Sequence, residues 1–142
     1  MQRTPPAHAQ AIEASLEIAA EKGGDLTPRV YALLFKRQPQ IEAHFWRDRN
    51  NSIKGEMLMR VIEAILDFIG ERHNADHLIQ CEVITHEGYD VPREVFGTFF
   101  GLVAEVVRDT CGDDWTDAME SAWRQMLAEL DFYVTHPEQV PA

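Results

Sequence analysis

The chain has 142 residues, of which 45% are apolar and 26% charged, and it carries a formal net charge of −11. That length makes one domain with room for a sizeable core, and the balance is that of a folded soluble chain, not a disordered one. The acidic excess repels phosphate backbones and anionic membrane surfaces, which argues against nucleic-acid and membrane partners.

Almost every segment repeats its apolar residues with a helical period, and none alternates as a strand would. The opening "MQRTPPAHAQ" has no apolar run, so no signal peptide is expected. A first helix is predicted from about Ala7 to Lys22, with Ile12, Leu16 and Ala19 on one face, stopped by Gly23, Gly24 and Asp25. Thr27 then reads as a cap, with Pro28 at the first helical position, for a helix carrying Val30, Tyr31, Leu34 and Phe35. Pro39 ends that helix and permits a short turn through Ile41, Phe45 and Trp46. "RDRNNS" is a polar loop.

The longest amphipathic stretch follows, from Ile53 to Ile69. Met57, Leu58, Val61, Ile62, Ile65, Leu66 and Ile69 are predicted to point inward, and Glu56, Arg60, Glu63 and Asp67 outward. After the break at "ERHN", a helix over about Ala75 to Glu87 places Ile79, Val83 and His86 on one stripe. Pro92 opens the next helix, with Val95, Phe99, Leu102 and Val106 inward and Gly112 as its end. Its apolar run from Phe96 to Ala104 is too short to span a membrane. Thr116 caps a last helix with Met119, Trp123, Met126 and Leu130 in line, closed by Pro137. The expectation is an all-α domain of about seven helices.

Cys81 and Cys111 lie in helical segments without metal-site spacing. They are expected to be two buried, reduced thiols, which together with the missing signal peptide suggests a cytoplasmic protein. No zinc-type site, supported nucleophile–base pair or glycine-rich phosphate loop is present. His8, His44, His73, His77 and His136 fall on polar faces or loops and carry no assigned role. From pattern alone, His86 reads first as a structural histidine satisfied by a carbonyl, and Tyr31 as a core tyrosine whose hydroxyl needs a partner. Lys54 reads as an exposed lysine.

Taken together and in order, several motifs resemble the globin family, in particular the single-domain bacterial haemoglobins and the haem domain of flavohaemoglobins. The resemblance covers nearly the whole chain, from about Ile12 to Tyr133. "VYALLFKRQPQIEAHF" is similar to the family's second and third helices, with Tyr31 at the distal tyrosine and Phe45 at the phenylalanine that packs on the haem. "KGEMLMRVIEAIL" resembles the distal helix, with Lys54 at the gate position, Gly55 at a close helix crossing and Leu58 over the iron. "THEGYDVPREVF" resembles the proximal helix end, where the iron-binding histidine, here His86, is followed five residues later by a valine, here Val91. "CGDDWTDAMESAWRQM" is similar to the last helix and the turn before it.

The resemblance implies a globin fold over 1–142, with its core at about 7–134 and a tail at 135–142. It also implies haem b held by His86, with Phe45, Lys54, Leu58, Ile62, Val91, Phe96 and Phe99 against the cofactor, and Tyr31 and Leu58 on the gas side. Beside its exposed reading, Lys54 could lay its stem along the haem edge with the ammonium at a propionate or, if deprotonated, ligate the iron from the distal side. The ring nitrogen of His86 turned away from iron needs an acceptor, and the carbonyl of Glu82, four residues back, is the natural candidate. The implied function is reversible binding of oxygen and other diatomic gases, as carrier, store, scavenger or sensor. Dioxygenation of nitric oxide would need a separate reductase, since no dinucleotide fingerprint is present. The resemblance also admits a homodimer. The alternatives are a haem-free globin-fold interaction or signalling module, and an unrelated helical bundle.

The chain departs from the family at Lys54, where Gln or His is usual, and at Phe96, where flavohaemoglobins place a tyrosine. The glutamate of the proximal network has no secure equivalent: Glu138 falls near the expected distance, but Pro137 directly precedes it. The differences at Lys54 and Phe96 weaken the case for peroxidase-like or fast oxygenase chemistry and leave haem binding untouched.

Overall fold

A computed structural model describes residues 8–72 and 74–137. Among them are six α-helices and no strand: α1 (Ala9–Gly23), α2 (Thr27–Arg37), α3 (Ser52–Ile69), α4 (Ala75–Glu87), α5 (Arg93–Cys111) and α6 (Asp117–Thr135). The 3-10 segments Pro39–Phe45 and Gly112–Asp114 lie between α2 and α3 and between α5 and α6. The first of these supplies the seventh expected helix. The architecture is all-α, as the periodicity predicts. No helix among the described residues is long and apolar enough to cross a membrane. Glu138 and His73 lie outside the described residues.

The starts and stops follow local chemistry. Thr116 Oγ1 accepts the Met119 N–H at 3.1 Å and caps α6 as predicted. At α2 the expected cap is displaced. Thr27 is already helical, and Asp25 supplies the oxygen, accepting the Thr27 N–H at 3.0 Å and its hydroxyl at 2.6 Å. These bonds, the hydroxyl first, hold the Asp25 carboxyl below the usual carboxylate range. In the turn after α4, Gly88 keeps a right-handed conformation, and the left-handed residue is Asp90, at φ 67°.

α5 is the central element, packed against α1, α2, α4 and α6. It therefore buries Phe100, Leu102, Val103, Val106, Val107 and Cys111, a wider face than the single stripe predicted. α6 buries Met119, Trp123, Met126 and Leu130 as expected. On α3 the inward face is rotated. Leu66 is 40% exposed and Phe68 is fully buried, its ring edge-on to Tyr133 at 5.9 Å. Gly55 faces Thr27, but a Cβ there would meet Thr27 Oγ1 at an ordinary 3.8 Å, so this crossing does not require glycine. Closer approaches are at Gly23, where a Cβ would come within 2.8 Å of Thr110, and at Gly97, where it would come within 3.2 Å of Val134.

A buried polar seam ties α1, α5 and α6 together. Ser15 Oγ donates to the Ile12 carbonyl at 2.6 Å and accepts from Trp123 Nε1 at 2.9 Å. Cys111 Sγ donates to the Ser15 carbonyl at 3.4 Å. Cys111 is buried as expected, whereas Cys81 is exposed, because α4 buries only the narrow stripe Ala75, Ile79, Gln80 and Val83.

Candidate functional site

α4 carries His86, and polar ties hold this helix where its apolar stripe is thin. At its start, Asp67 Oδ2 on α3 accepts the N–H groups of Asn74 at 2.9 Å and Ala75 at 2.8 Å. In its middle, Gln80 Nε2 donates to the His136 carbonyl at 3.0 Å. At its end, Arg93 donates to both oxygens of Glu87, at 2.9 and 3.2 Å, and closes the corner into α5. That pairing holds the Glu87 carboxyl below its ordinary range.

His86 itself is doubly fixed. Its backbone carbonyl accepts the N–H groups of Tyr89 and Val91, each at 2.9 Å. Its Nδ1 lies 2.8 Å from the Glu82 carbonyl, the acceptor the four-residue spacing predicts. A carbonyl can only accept, so Nδ1 carries a proton, and in the neutral ring Nε2 keeps its lone pair. Nε2 bonds to no described residue, and the side chain is 26% exposed. The Glu82 carboxylate lies 3.6 Å from Nδ1. The ring of Phe96 sits 4.9 Å from the imidazole and offers no hydrogen bond in return.

Tyr31 lies on α2, 2% exposed, inside a cage of phenyl rings: Phe45 at 5.4 Å, Phe99 at 5.5 Å and Phe35 at 5.9 Å between centroids. Its hydroxyl is buried and has no partner among the described residues. Burial, and secondarily the negative charge of Asp48, raise its pKa well above the ordinary value, so the proton stays on the oxygen.

Lys54 is not the exposed lysine its sequence context suggests. Its side chain is 12% exposed, and Nζ donates to Asp48 Oδ2 at 2.9 Å and to Asn51 Oδ1 at 3.2 Å. The ammonium lies 5.4 Å from the centre of the Phe45 ring. Asp48 Oδ1 accepts the Ile53 N–H at 3.1 Å and Oδ2 the Lys54 N–H at 3.0 Å, so one carboxylate satisfies two free amides at the start of α3. Burial alone would raise the pKa of Asp48. The hydrogen bonds from Lys54 and Ile53 outweigh it and hold the carboxyl below its usual range.

The structure therefore gathers the predicted residues into two groups. Tyr31, Phe45, Phe99 and Lys54 form a distal group, and His86 with Phe96 a proximal one. No described hydrogen bond or ring contact joins the two. Leu58 is 4% exposed in the core, while Ile62 and Val91 are half-buried and pack against it. A cleft of about 530 Å³ opens beside the distal group, lined by Phe35, Pro39, Phe45, Trp46, Asp48 and Lys54 among others. His86 does not line it. Sequence reasoning missed Asp48 and Phe35. A signal for Asp48 existed: an acidic residue just upstream of a helix start is a candidate cap.

The donor set fits haem on two counts. A neutral imidazole with Nδ1 satisfied and Nε2 free is the ligand that haem iron takes, and a buried, protonated, unpartnered hydroxyl amid phenyl rings is what a small polar ligand there would need.

A family model described as Globin matches residues 28–131, a span that contains Tyr31, Phe45, Lys54 and His86. No curated protein and no solved structure matches the chain.

Proposed function

The chain belongs to the globin family, and from that premise we propose that it holds haem b at His86 and reversibly binds oxygen and other diatomic gases beside Tyr31. When bound, the haem would supply an iron able to take up oxygen, carbon monoxide or nitric oxide. The chain's own residues would do the rest. His86 offers Nε2, with its tautomer set by the Glu82 carbonyl and its position by the ties along α4. Phe45, Leu58, Ile62, Val91, Phe96 and Phe99 supply apolar surface that excludes water. Tyr31 holds its proton where a ligand with partial negative charge can accept it.

The observation that carries this reading is the unpartnered Tyr31 hydroxyl. A buried polar group left without a partner costs about 1–3 kcal/mol. A haem-free globin-fold module is the competing reading, and the contact of Tyr31 with three phenyl rings is the feature it draws on. Such a module would gain as much from phenylalanine at position 31 and would avoid that cost. Dioxygenation of nitric oxide is the reaction this site admits, with electrons from a separate reductase.

Purified chain supplied with haem is expected to show an intense Soret band, lost in His86→Ala while far-UV circular dichroism keeps the helical signal. A folded native chain without that band would overturn the proposal.

A further inference from the structure

We propose that Asp48 is a positioning residue that latches Lys54 at the rim of the distal cleft, keeping a competing amine away from the gas site. The proposal rests on the haem reading above and specifies how the distal side of that site is kept open.

The latch begins with an unusual burial. Asp48 belongs to the polar loop "RDRNNS", whose arginines Arg47 and Arg49 are exposed, yet its own side chain has no exposed surface. A buried carboxylate is heavily penalised unless charge and hydrogen bonds compensate it. Here two backbone amides and one ammonium do so. The amides alone would not call for a charge, because a neutral Ser, Thr or Asn caps a helix start as well as Asp does. The charge is matched to Lys54, whose Nζ it holds over the Phe45 ring.

What the latch prevents follows from the neighbours. Phe45 also touches the Tyr31 ring, so the ammonium is parked one side chain away from the unpartnered hydroxyl. Lysine has a long flexible stem, and a released amine would have two takers. One is the Tyr31 oxygen, which has free acceptor capacity; the other is the distal face of the iron. Held by Asp48 and Asn51, the Lys54 Nζ has its donors committed to two oxygens at the start of α3. Tyr31 is thereby left to the gas.

The chain has three lysines, at 22, 36 and 54, so their reactivity can be read one by one. Lys36 is exposed on α2 and serves as the reference. Haem-free chain treated with an N-hydroxysuccinimide acetate ester and analysed by peptide mass spectrometry is expected to acylate Lys54 at least about tenfold more slowly than Lys36, a ratio equivalent to about 1.4 kcal/mol. In Asp48→Asn that gap should close. In the haem-loaded protein, Asp48→Asn is expected to move the ferrous spectrum from five-coordinate to six-coordinate low-spin. The Asp48→Asn/Lys54→Leu pair, which leaves no donor at position 54, should restore the five-coordinate form, which a merely structural role for Asp48 would not do.

Equal acylation of Lys54 and Lys36 in the native chain overturns the latch, and so does an unshifted spectrum in Asp48→Asn. If Asp48→Asn does not fold, the native ferrous spectrum decides: a five-coordinate form supports the latch, and a six-coordinate form lost in Lys54→Leu means that Lys54 already binds the iron and overturns it. A chain that takes up no haem overturns the proposed function instead, and the latch then stands or falls on the acylation rates.

Discussion

Two buried hydroxyls, Ser15 on α1 and Tyr31 on α2, sit in opposite circumstances. In the seam between α1, α5 and α6, the Ser15 hydroxyl both gives and receives a hydrogen bond, and Trp123 and Cys111 complete the set around it. In the distal cage the Tyr31 hydroxyl is surrounded by Phe35, Phe45 and Phe99 and bonds to no described residue. Both side chains are buried, so the same physics applies to each: a satisfied group contributes to folding, and an unsatisfied one costs stability. The seam is therefore an investment in the fold. The cage leaves a donor open at the place where the proposed gas would sit, and the two should respond to mutation in opposite ways.

The largest effect belongs to the seam. Trp123→Ala removes a fully packed ring and the donor to Ser15 Oγ, and is expected to cost about 3–5 kcal/mol in denaturant unfolding. A loss below about 1 kcal/mol, within the range of ordinary surface changes, would mean that the seam is not the structural element described here.

The cage should behave in reverse. Tyr31→Phe deletes an unpartnered hydroxyl, so folding stability should stay the same or rise. Oxygen release from the haem-loaded protein should nevertheless speed up roughly ten- to hundredfold, as expected for the loss of a bond to a charged acceptor of about 1.5–3 kcal/mol. Stopped-flow displacement of oxygen by carbon monoxide reads this directly; an unchanged off-rate would remove Tyr31 from ligand binding.

Tyr31 also gives the comparison a pH signature that Ser15 cannot. Its folded pKa lies above the ordinary value of 10.0, so above that pH the unfolded chain gives up a proton that the folded chain keeps. The stability from burying the neutral phenol is thus fully present below pH 10.0 and lost as pH rises past it. For one such group the slope approaches about 1.4 kcal/mol per pH unit. Haem-free Tyr31→Phe should show a shallower alkaline decline than the native chain, and parallel curves would contradict the burial assigned to this hydroxyl.

Much of this could be read from the chain, for identifiable reasons. Pro28, Pro39, Pro92 and Gly112 punctuate the helices chemically, and the boundaries lie beside them. Tyr31 and His86 stand out because each is a polar group on an apolar stripe. What stayed hidden depends on which neighbour arrives in three dimensions. Phe68 displaces Leu66 from the core because Tyr133 on α6 and the Arg72 guanidinium, 3.6 Å from the Phe68 ring centre, enclose it. Asp48 reads as one more solvated acid in a polar loop, until the loop folds back and brings Ile53, Lys54 and its own carboxylate together.

Asp25 repeats the task of Asp48 without the burial, and so supplies the smallest and most discriminating test. Each carboxylate sits just upstream of a helix and accepts from its first turn, but Asp25 is exposed and binds Thr27 alone, whereas Asp48 is sealed in and also holds an ammonium. Asp25→Ala should cost about 1 kcal/mol, the usual worth of a helix cap. The Asp25 pKa is depressed by its Thr27 bonds, so this contribution is present above the ordinary carboxylate pKa and fades as pH falls through the lowered one. The deficit of Asp25→Ala against the native chain should therefore narrow in acid. Haem uptake and Lys54 acylation should not change, because the Asp25 carboxylate bonds only Thr27 among the described residues. A change in either would mean that the start of α2, not Asp48 alone, sets the position of the distal side chains.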